Sequence, residues 1–319
     1  MIEAFKNKVL SGGYLTRENA LSLQDAELEA LCQAANALRI HFCGNGFDIC
    51  TIINGKSGRC TEDCHYCAQS AHYPAEIEEY PLLDRASLLK QAVYNYEKSI
   101  LRYSVVTSGR RLSDAEVEEM CAHYLSIRQN CPISLCASHG LLTYEHFVKL
   151  KAAGVTRYHN NLETSRRFFS SVCTTHTFEE KIATIQAAQR AGLVVCSGGI
   201  MGLGERMEDR IDMALELRAL GIKSIPLNIL NPIKGTPCEK RPPLKKNEVR
   251  RSVAIYRFLL PDAALRLAGG RGLLPDKGRS LFCSGANAAI SGDMLTTSGI
   301  SINEDMRMLS ELGFEVRKL

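Results

Sequence analysis

The sequence predicts a closed barrel of eight parallel strands wrapped by helices, a (β/α)8 TIM-type fold of the α/β class, with an N-terminal helical extension. Three observations predict it. Short apolar, β-branched runs recur eight times and alternate with helical patterns at βα spacing, which calls for a parallel sheet and, at that count, for closure. No repeat, low-complexity run or linker interrupts the alternation in 319 residues. A three-cysteine loop directly follows the first run, on the rim where such barrels carry their sites.

The extension takes residues 1–45 and the barrel 46–319. Residues 1–40 read as helix. Thr16 suits an N-cap, and Leu21, Leu28, Leu31, Ala35 and Leu38 recur at helical spacing with Cys32 on the same stripe. Gly44-Asn45-Gly46 is a turn. The predicted strands run from Phe47 to Asn54, Leu101 to Thr107, Ile133 to Ala137, Val155 to Asn161, Leu193 to Gly199, Ser224 to Leu230, Ala264 to Gly269 and Ala286 to Ser291. Helices between them are clearest at Ser113 to Gln129, with Ser113 and Glu116 as a capping pair, at Phe178 to Ala191 before Gly192, and at Arg206 to Leu220 before Gly221. Ser87 to Lys98 and Lys245 to Leu260 repeat the pattern, the latter after the stiff turn Lys240-Arg241-Pro242-Pro243.

Composition narrows the function classes. The chain is 45% hydrophobic and 23% charged, with a formal charge of +4. That mixed balance argues against a dedicated nucleic-acid surface. Arg110-Arg111, Lys245-Lys246 and Arg250-Arg251 read as solvated faces or loop edges. No apolar run approaches the roughly 18 residues of a membrane span, and the first residues have no apolar signal core. A cytoplasmic, reducing location is expected. There, the thirteen cysteines are metal ligands or small buried hydrophobes rather than bridges. The core reading is the default for Cys32, Cys121, Cys131, Cys173, Cys238 and Cys283.

Cys60-Thr61-Glu62-Asp63-Cys64-His65-Tyr66-Cys67 departs from that default. Thiolates are soft and select Fe–S clusters, Zn or Cu(I). A closed zinc or ferredoxin-type site takes four protein ligands. This loop offers three and lacks the second half of a zinc knuckle. It suits a cluster with one iron left open to substrate or cofactor; structural zinc and a disulfide are the alternatives.

A second constellation follows from the barrel. Cys50, Cys136, Cys196 and Arg266 fall on the first, third, fifth and seventh strands, and alternate strands fill each interior layer. A buried Arg needs anionic partners. Two readings stand side by side: three thiolates carry a cluster beside Arg266, or the cysteines fill the core and Arg266 pairs with a carboxylate.

The C-x3-C-x-aromatic-C loop, with Tyr66 as its aromatic residue, resembles that of the radical S-adenosylmethionine (SAM) enzymes. Further stretches resemble the biotin synthase family within them: 157–165, Val195-Cys196-Ser197-Gly198-Gly199-Ile200 through Glu205, 225–228, Lys234-Gly235-Thr236-Pro237, 265–271 and Leu295-Thr296-Thr297. Together the resemblance spans about four-fifths of the chain. It implies a sulfurtransferase that inserts sulfur into dethiobiotin to form biotin. A [4Fe-4S] cluster on Cys60, Cys64 and Cys67 would bind SAM, and an auxiliary Fe–S cluster would donate sulfur. Family ligands of that second cluster match Cys136, Cys196 and Arg266. The remaining family cysteine is replaced by Ser104, and Cys50 stands where the family has a serine. Cys50 is therefore expected to replace the missing ligand, with Cys43 a weaker candidate. The auxiliary cluster, [2Fe-2S] in the family, is then open to a four-iron form.

By the same resemblance Glu163 meets the SAM ribose, Lys181 its carboxylate, and Tyr66, Asn161, Gly198 and Gly199 line its place. Glu163 and Lys181 stand where the family more often has Asp and Arg, and Lys lacks the guanidinium fork. Asn161, Asn228, Thr296 and Thr297 match substrate contacts. A urea offers one acceptor and two donors, and Asn serves both kinds. Gly198, Gly199, Lys181, the two asparagines and the two threonines also have a plainer reading as a strand-end turn, a cap or a solvated helix position. No acid–base pair is expected. Implied partners are dethiobiotin, SAM, an electron donor such as flavodoxin or ferredoxin, and a second copy of the chain; nucleic acid and membrane are not. The alternative is a related radical SAM enzyme of the methylornithine synthase or hydrogenase-maturation kind.

Overall fold

The β-branched runs form strands because each is buried on both faces, against the lumen and against helices. The computed structural model describes residues 1–319. Its strands are β1 (Gly46–Lys56), β2 (Arg102–Thr107), β3 (Ser134–Ser138), β4 (Val155–His159), β5 (Val194–Cys196), β6 (Gly199–Met201), β7 (Ser224–Ile229), β8 (Ala264–Leu267), β9 (Ala288–Ser291) and β10 (Glu315–Val316). The order β1-β2-β3-β4-β5-β7-β8-β9 closes by pairing β9 with β1, all parallel. β6 prolongs the β5 stave and pairs with β7, so the barrel has the expected eight staves.

The predicted fifth strand, residues 193–199, is split at Ser197-Gly198. There Gly198 presses on the next stave: a Cβ on it would lie 1.9 Å from the Pro226 carbonyl oxygen. Pro226 also has no N–H for a ladder. β10 was not anticipated, because two residues carry no periodicity; it pairs with the start of β1, Gly46 opposite Glu315. Helices Tyr144–Ala152 and Ile302–Glu311 also lie outside the clearest predicted patterns.

The extension is not one helix. It breaks into Ile2–Leu10, Arg17–Ser22 and Leu28–Cys43, the first break falling at Gly12 with φ +84°. Thr16 caps as predicted, in a reciprocal box with Asn19. Leu15, Leu31, Cys32 and Leu38 join the same core as the barrel. Arg17 bonds Asp212 at 2.6 Å and Arg251 bonds the Ala26 carbonyl at 2.6 Å. Ser113–Glu116 and Thr177–Glu180 boxes open helices Asp114–Asn130 and Phe178–Arg190. Gly192 follows Phe178–Arg190 and Gly221 follows helix Met207–Ala219, closing them at φ +79° and +68°.

Cys32, Cys121, Cys131, Cys173 and Cys238 are buried as expected. Cys283 is not: it follows the one-turn helix Arg279–Phe282 and is exposed. No helix is long and apolar enough to cross a membrane.

Candidate active site

Parallel strands bring their C-terminal ends to one rim, and a cavity of about 390 Å³ opens there and descends into the lumen. The three-cysteine loop leaves β1 at this rim. Its main chain is fixed by local bonds: the Cys60 N–H donates to the Gln69 carbonyl, the Ala71 N–H to the Cys60 carbonyl and the Cys67 N–H to the Cys64 carbonyl, at 2.8–2.9 Å. A polar girdle ties it to the segment before helix Phe178–Arg190. Glu62 meets His176 at 2.5 Å and Arg110 at 3.3 Å. Asp63 accepts from the Thr174 and Thr175 amides at 2.8 and 3.2 Å and from the Thr174 hydroxyl. Burial opposes the Asp63 charge, but these donors win and hold its carboxyl well below the usual range.

Cys60, Cys67 and Tyr66 line the cavity. Cys64 turns towards Cys173 and His176, with ligand atoms of all three within 4.8 Å of one another. Burial raises Cys60 and pushes Cys67 up to about 11; Cys64 is raised further by its hydrogen bond with Cys173 and by burial. Three soft thiols, deprotonated on metal binding, are a donor set that suits an iron cluster; Cys60 and Cys67 face the cavity, and Cys64 does not line it. Cys173 is more than a core filler. Its thiol lies 3.2 Å from Asp63 Oδ1 and 3.3 Å from His176 Nδ1, directly behind the loop.

Glu163 follows β4 with φ +69°, a strained value for a side-chain-bearing residue. Its Oε2 is buried without a hydrogen-bond partner, which leaves an acceptor open in the site. Burial and the neighbouring Glu163 charge push the Tyr66 phenol well above its usual value. Lys181 lines the cavity, on the first turns of helix Phe178–Arg190. Gly198 and Gly199 do not line it. Their close approach is to protein: a Cβ on Gly199 would lie 2.3 Å from the Glu163 carbonyl oxygen. They set the place of Glu163.

Asn161 lies two residues beyond β4, and its Oδ1 accepts from the Gly198 N–H at 3.1 Å. Asn228, on β7, donates to the Gly199 carbonyl at 3.1 Å and accepts from the Gly269 N–H at 2.9 Å. The plainer strand-end role is thus real for both. An amide has two donors and two lone pairs, so each keeps capacity for the cavity it lines. Thr296 and Thr297 line it from the loop after β9.

Below lies the second constellation. Cys50, Ser104, Cys136, Cys196 and Arg266 all line the same cavity. Arg266 donates to Cys50 Sγ at 3.2 Å and also to Asp48 Oδ1 at 2.7 Å. The two sequence readings therefore coexist: the thiols gather, and Arg266 has a carboxylate. Ser104 registers opposite Cys136. Cys43 lies elsewhere, at the end of its helix, 3.5 Å from Arg257. Burial pushes Cys136 up to about 12. Burial opposes ionisation of Cys196 too, but a hydrogen bond and charge from His159, with Arg266 and Arg157, bring it down to about 6. The chemistry of this donor set, soft sulfurs beside guanidiniums, fits a sulfide-bearing cluster.

Sequence reasoning missed Asp48, Arg102, Arg157, His159 and Ser224 here, and Glu62, Cys173 and His176 at the rim. A signal existed for the first three. A charged residue inside a strand buried on both faces needs a partner or a ligand.

Residues 56–217 match the Radical SAM superfamily, and residues 226–315 match the Biotin and Thiamin Synthesis associated domain. The chain is 61% identical to the biotin synthase of Akkermansia muciniphila, over 98% of this chain and 97% of that one. It is 57% identical to the biotin synthase of Clostridium botulinum strain Alaska E43, over 99% of each. Among solved structures it resembles methylornithine synthase, with TM-score 0.84, 18% identity and coverage of 98% and 97%. It also resembles a maturase of the [FeFe]-hydrogenase, with TM-score 0.83, 19% identity and coverage of 98% and 75%. At such identities these two share the fold.

Proposed function

This chain belongs to the biotin synthase family of radical SAM enzymes, and from that premise we infer that it inserts sulfur into dethiobiotin. One observation carries the reading at the level of residues. A single cavity joins the Cys60 loop at the rim to Cys50, Cys136, Cys196 and Arg266 in the lumen. A substrate between them would face a radical source above and a sulfur source below.

Cys60, Cys64 and Cys67 would hold the [4Fe-4S] cluster and leave one iron for SAM. Glu163 would take the ribose hydroxyls with its unpartnered oxygen, and Lys181 the carboxylate as a point charge. When bound, these groups supply a carbon radical, and the deep cluster supplies sulfur. The protein's part is placement and exclusion of water. Asn161 and Asn228 would address the urea ring of dethiobiotin, and Thr296 and Thr297 its carboxylate. Ile52, Val106, Ile200, Ile229 and Ile290 give the walls an apolar character. Cys50, Cys136, Cys196 and Arg266 would carry the auxiliary cluster, Cys50 taking the role that Ser104 cannot. No side chain is assigned as general acid or base.

The test is turnover of the anaerobically reconstituted, reduced protein with SAM and dethiobiotin. Biotin and 5′-deoxyadenosine are expected together. Release of 5′-deoxyadenosine with dethiobiotin untouched would remove the substrate assignment, and no release would remove the radical chemistry.

A further inference from the structure

Three guanidiniums line the deep part of the cavity, those of Arg102, Arg157 and Arg266. Two share one carboxylate: Asp48 Oδ2 meets Arg102 at 2.8 Å and Oδ1 meets Arg266 at 2.7 Å. Arg157 has no such partner. It is 8% exposed, and its one hydrogen bond runs from Nη1 to the Ser224 hydroxyl at 3.2 Å. A guanidinium has five donors. Leaving a buried cation with one neutral acceptor is unfavourable unless an anion completes the site.

Its surroundings say which anion. The Ser224 hydroxyl donates to Cys196 Sγ at 3.2 Å, so Arg157, Ser224 and Cys196 form one chain of contacts. On the other side Arg157 registers opposite Cys136 in the β3–β4 pairing. Arg157 thus stands between two sulfurs of the deep constellation and lines the cavity.

We propose that Arg157 holds the negatively charged sulfide face of the cluster carried by Cys50, Cys136, Cys196 and Arg266. This rests on the reading of that chamber as a cluster site. Arg157 is not a ligand to iron. It donates hydrogen bonds to bridging sulfide and offsets the charge of the thiolates.

The test uses the full chain, reconstituted anaerobically with ferrous iron and sulfide, as wild type, Arg157→Gln and Arg157→Lys. Melting is followed before and after reconstitution, and Mössbauer spectra resolve the two iron environments. A residue kept for an anion burdens the iron-free protein and stabilises the loaded one. Arg157→Gln is expected to melt at or above wild type when iron-free. Loaded, it should lose deep iron to a chelator about tenfold faster, the equivalent of one charge-assisted hydrogen bond. Arg157→Lys should fall between. Deep iron released from Arg157→Gln at the wild-type rate overturns the proposal. So does an iron-free Arg157→Gln that melts lower while its gain on loading is unchanged, which makes Arg157 a fold residue. A wild-type chain that loads iron on the Cys60 loop alone overturns the cluster reading of the chamber, and the proposal with it.

Discussion

Arg266 Nη1 lies 3.2 Å from Cys50 Sγ, although 216 residues separate them in the chain. The contact puts the cysteine that the family resemblance does not supply beside the arginine that it does. Cys50→Ala should lose auxiliary iron and biotin formation while SAM cleavage continues. Ser104 registers opposite Cys136, so Cys50→Ala/Ser104→Cys should recover auxiliary iron. Iron and sulfide analysis with Mössbauer spectra checks both. Full auxiliary iron in Cys50→Ala would remove Cys50 from the ligand set.

Asp48 is wholly buried between Arg102 and Arg266. Burial opposes its charge, but the two arginines keep its carboxyl below the ordinary value. Asp48→Asn leaves two buried cations without a counter-charge. Urea denaturation should show a loss of about 3–5 kcal/mol. A loss within 0.5 kcal/mol, the usual range of a surface change, would mean that the arginines find other partners.

Glu163 keeps an unpartnered buried oxygen in a left-handed backbone. Glu163→Gln retains the shape and removes the charge. Equilibrium binding of SAM to the reconstituted protein should weaken by about tenfold to a hundredfold, the range of a hydrogen bond to a charged group. Unchanged binding would return Glu163 to a turn role.

At Gly199 a Cβ would meet the Glu163 carbonyl oxygen at 2.3 Å and the Met213 sulfur at 2.5 Å. Gly199→Ala should destabilise the chain by about 1–3 kcal/mol and weaken SAM binding by moving Glu163. The same variant with wild-type affinity for SAM would separate packing from the site.

His139 is fully buried between the Thr107 hydroxyl at 3.0 Å and the Tyr124 hydroxyl at 2.9 Å. Burial brings it down to about 3 from 6.5. The unfolded chain takes up a proton near pH 6.5 and the folded one does not, so this group favours unfolding increasingly as pH falls from 6.5 towards 3. The slope it contributes is about 1.4 kcal/mol per pH unit at most. His139→Gln should flatten the fall in stability across that window. Urea midpoints between pH 7 and 5 that move in parallel for the two proteins would exclude His139 as the cause.

Much was legible in the sequence because two periodicities carry it. Eight β-branched runs against helical stripes specify a parallel barrel, since each strand must bury both faces. The Cys60 loop is legible because its candidate ligands are local: three soft donors within eight residues need no long-range geometry. The split at Gly198 and the short β10 were not legible. One is a contact between staves, and the other is too short to have a period.

The alternation of Cys50, Cys136, Cys196 and Arg266 across strands was enough to place them around one cavity. The sequence by itself also determined the fold class and the rim that carries the three-cysteine loop. Only the tertiary structure decided which charges meet in the lumen. Asp48 joins Arg266 and Arg102, while Arg157 is left with Ser224. The reason is physical. Strand register and side-chain reach fix those pairings to an ångström, and hydrophobic periodicity fixes only which face a residue takes.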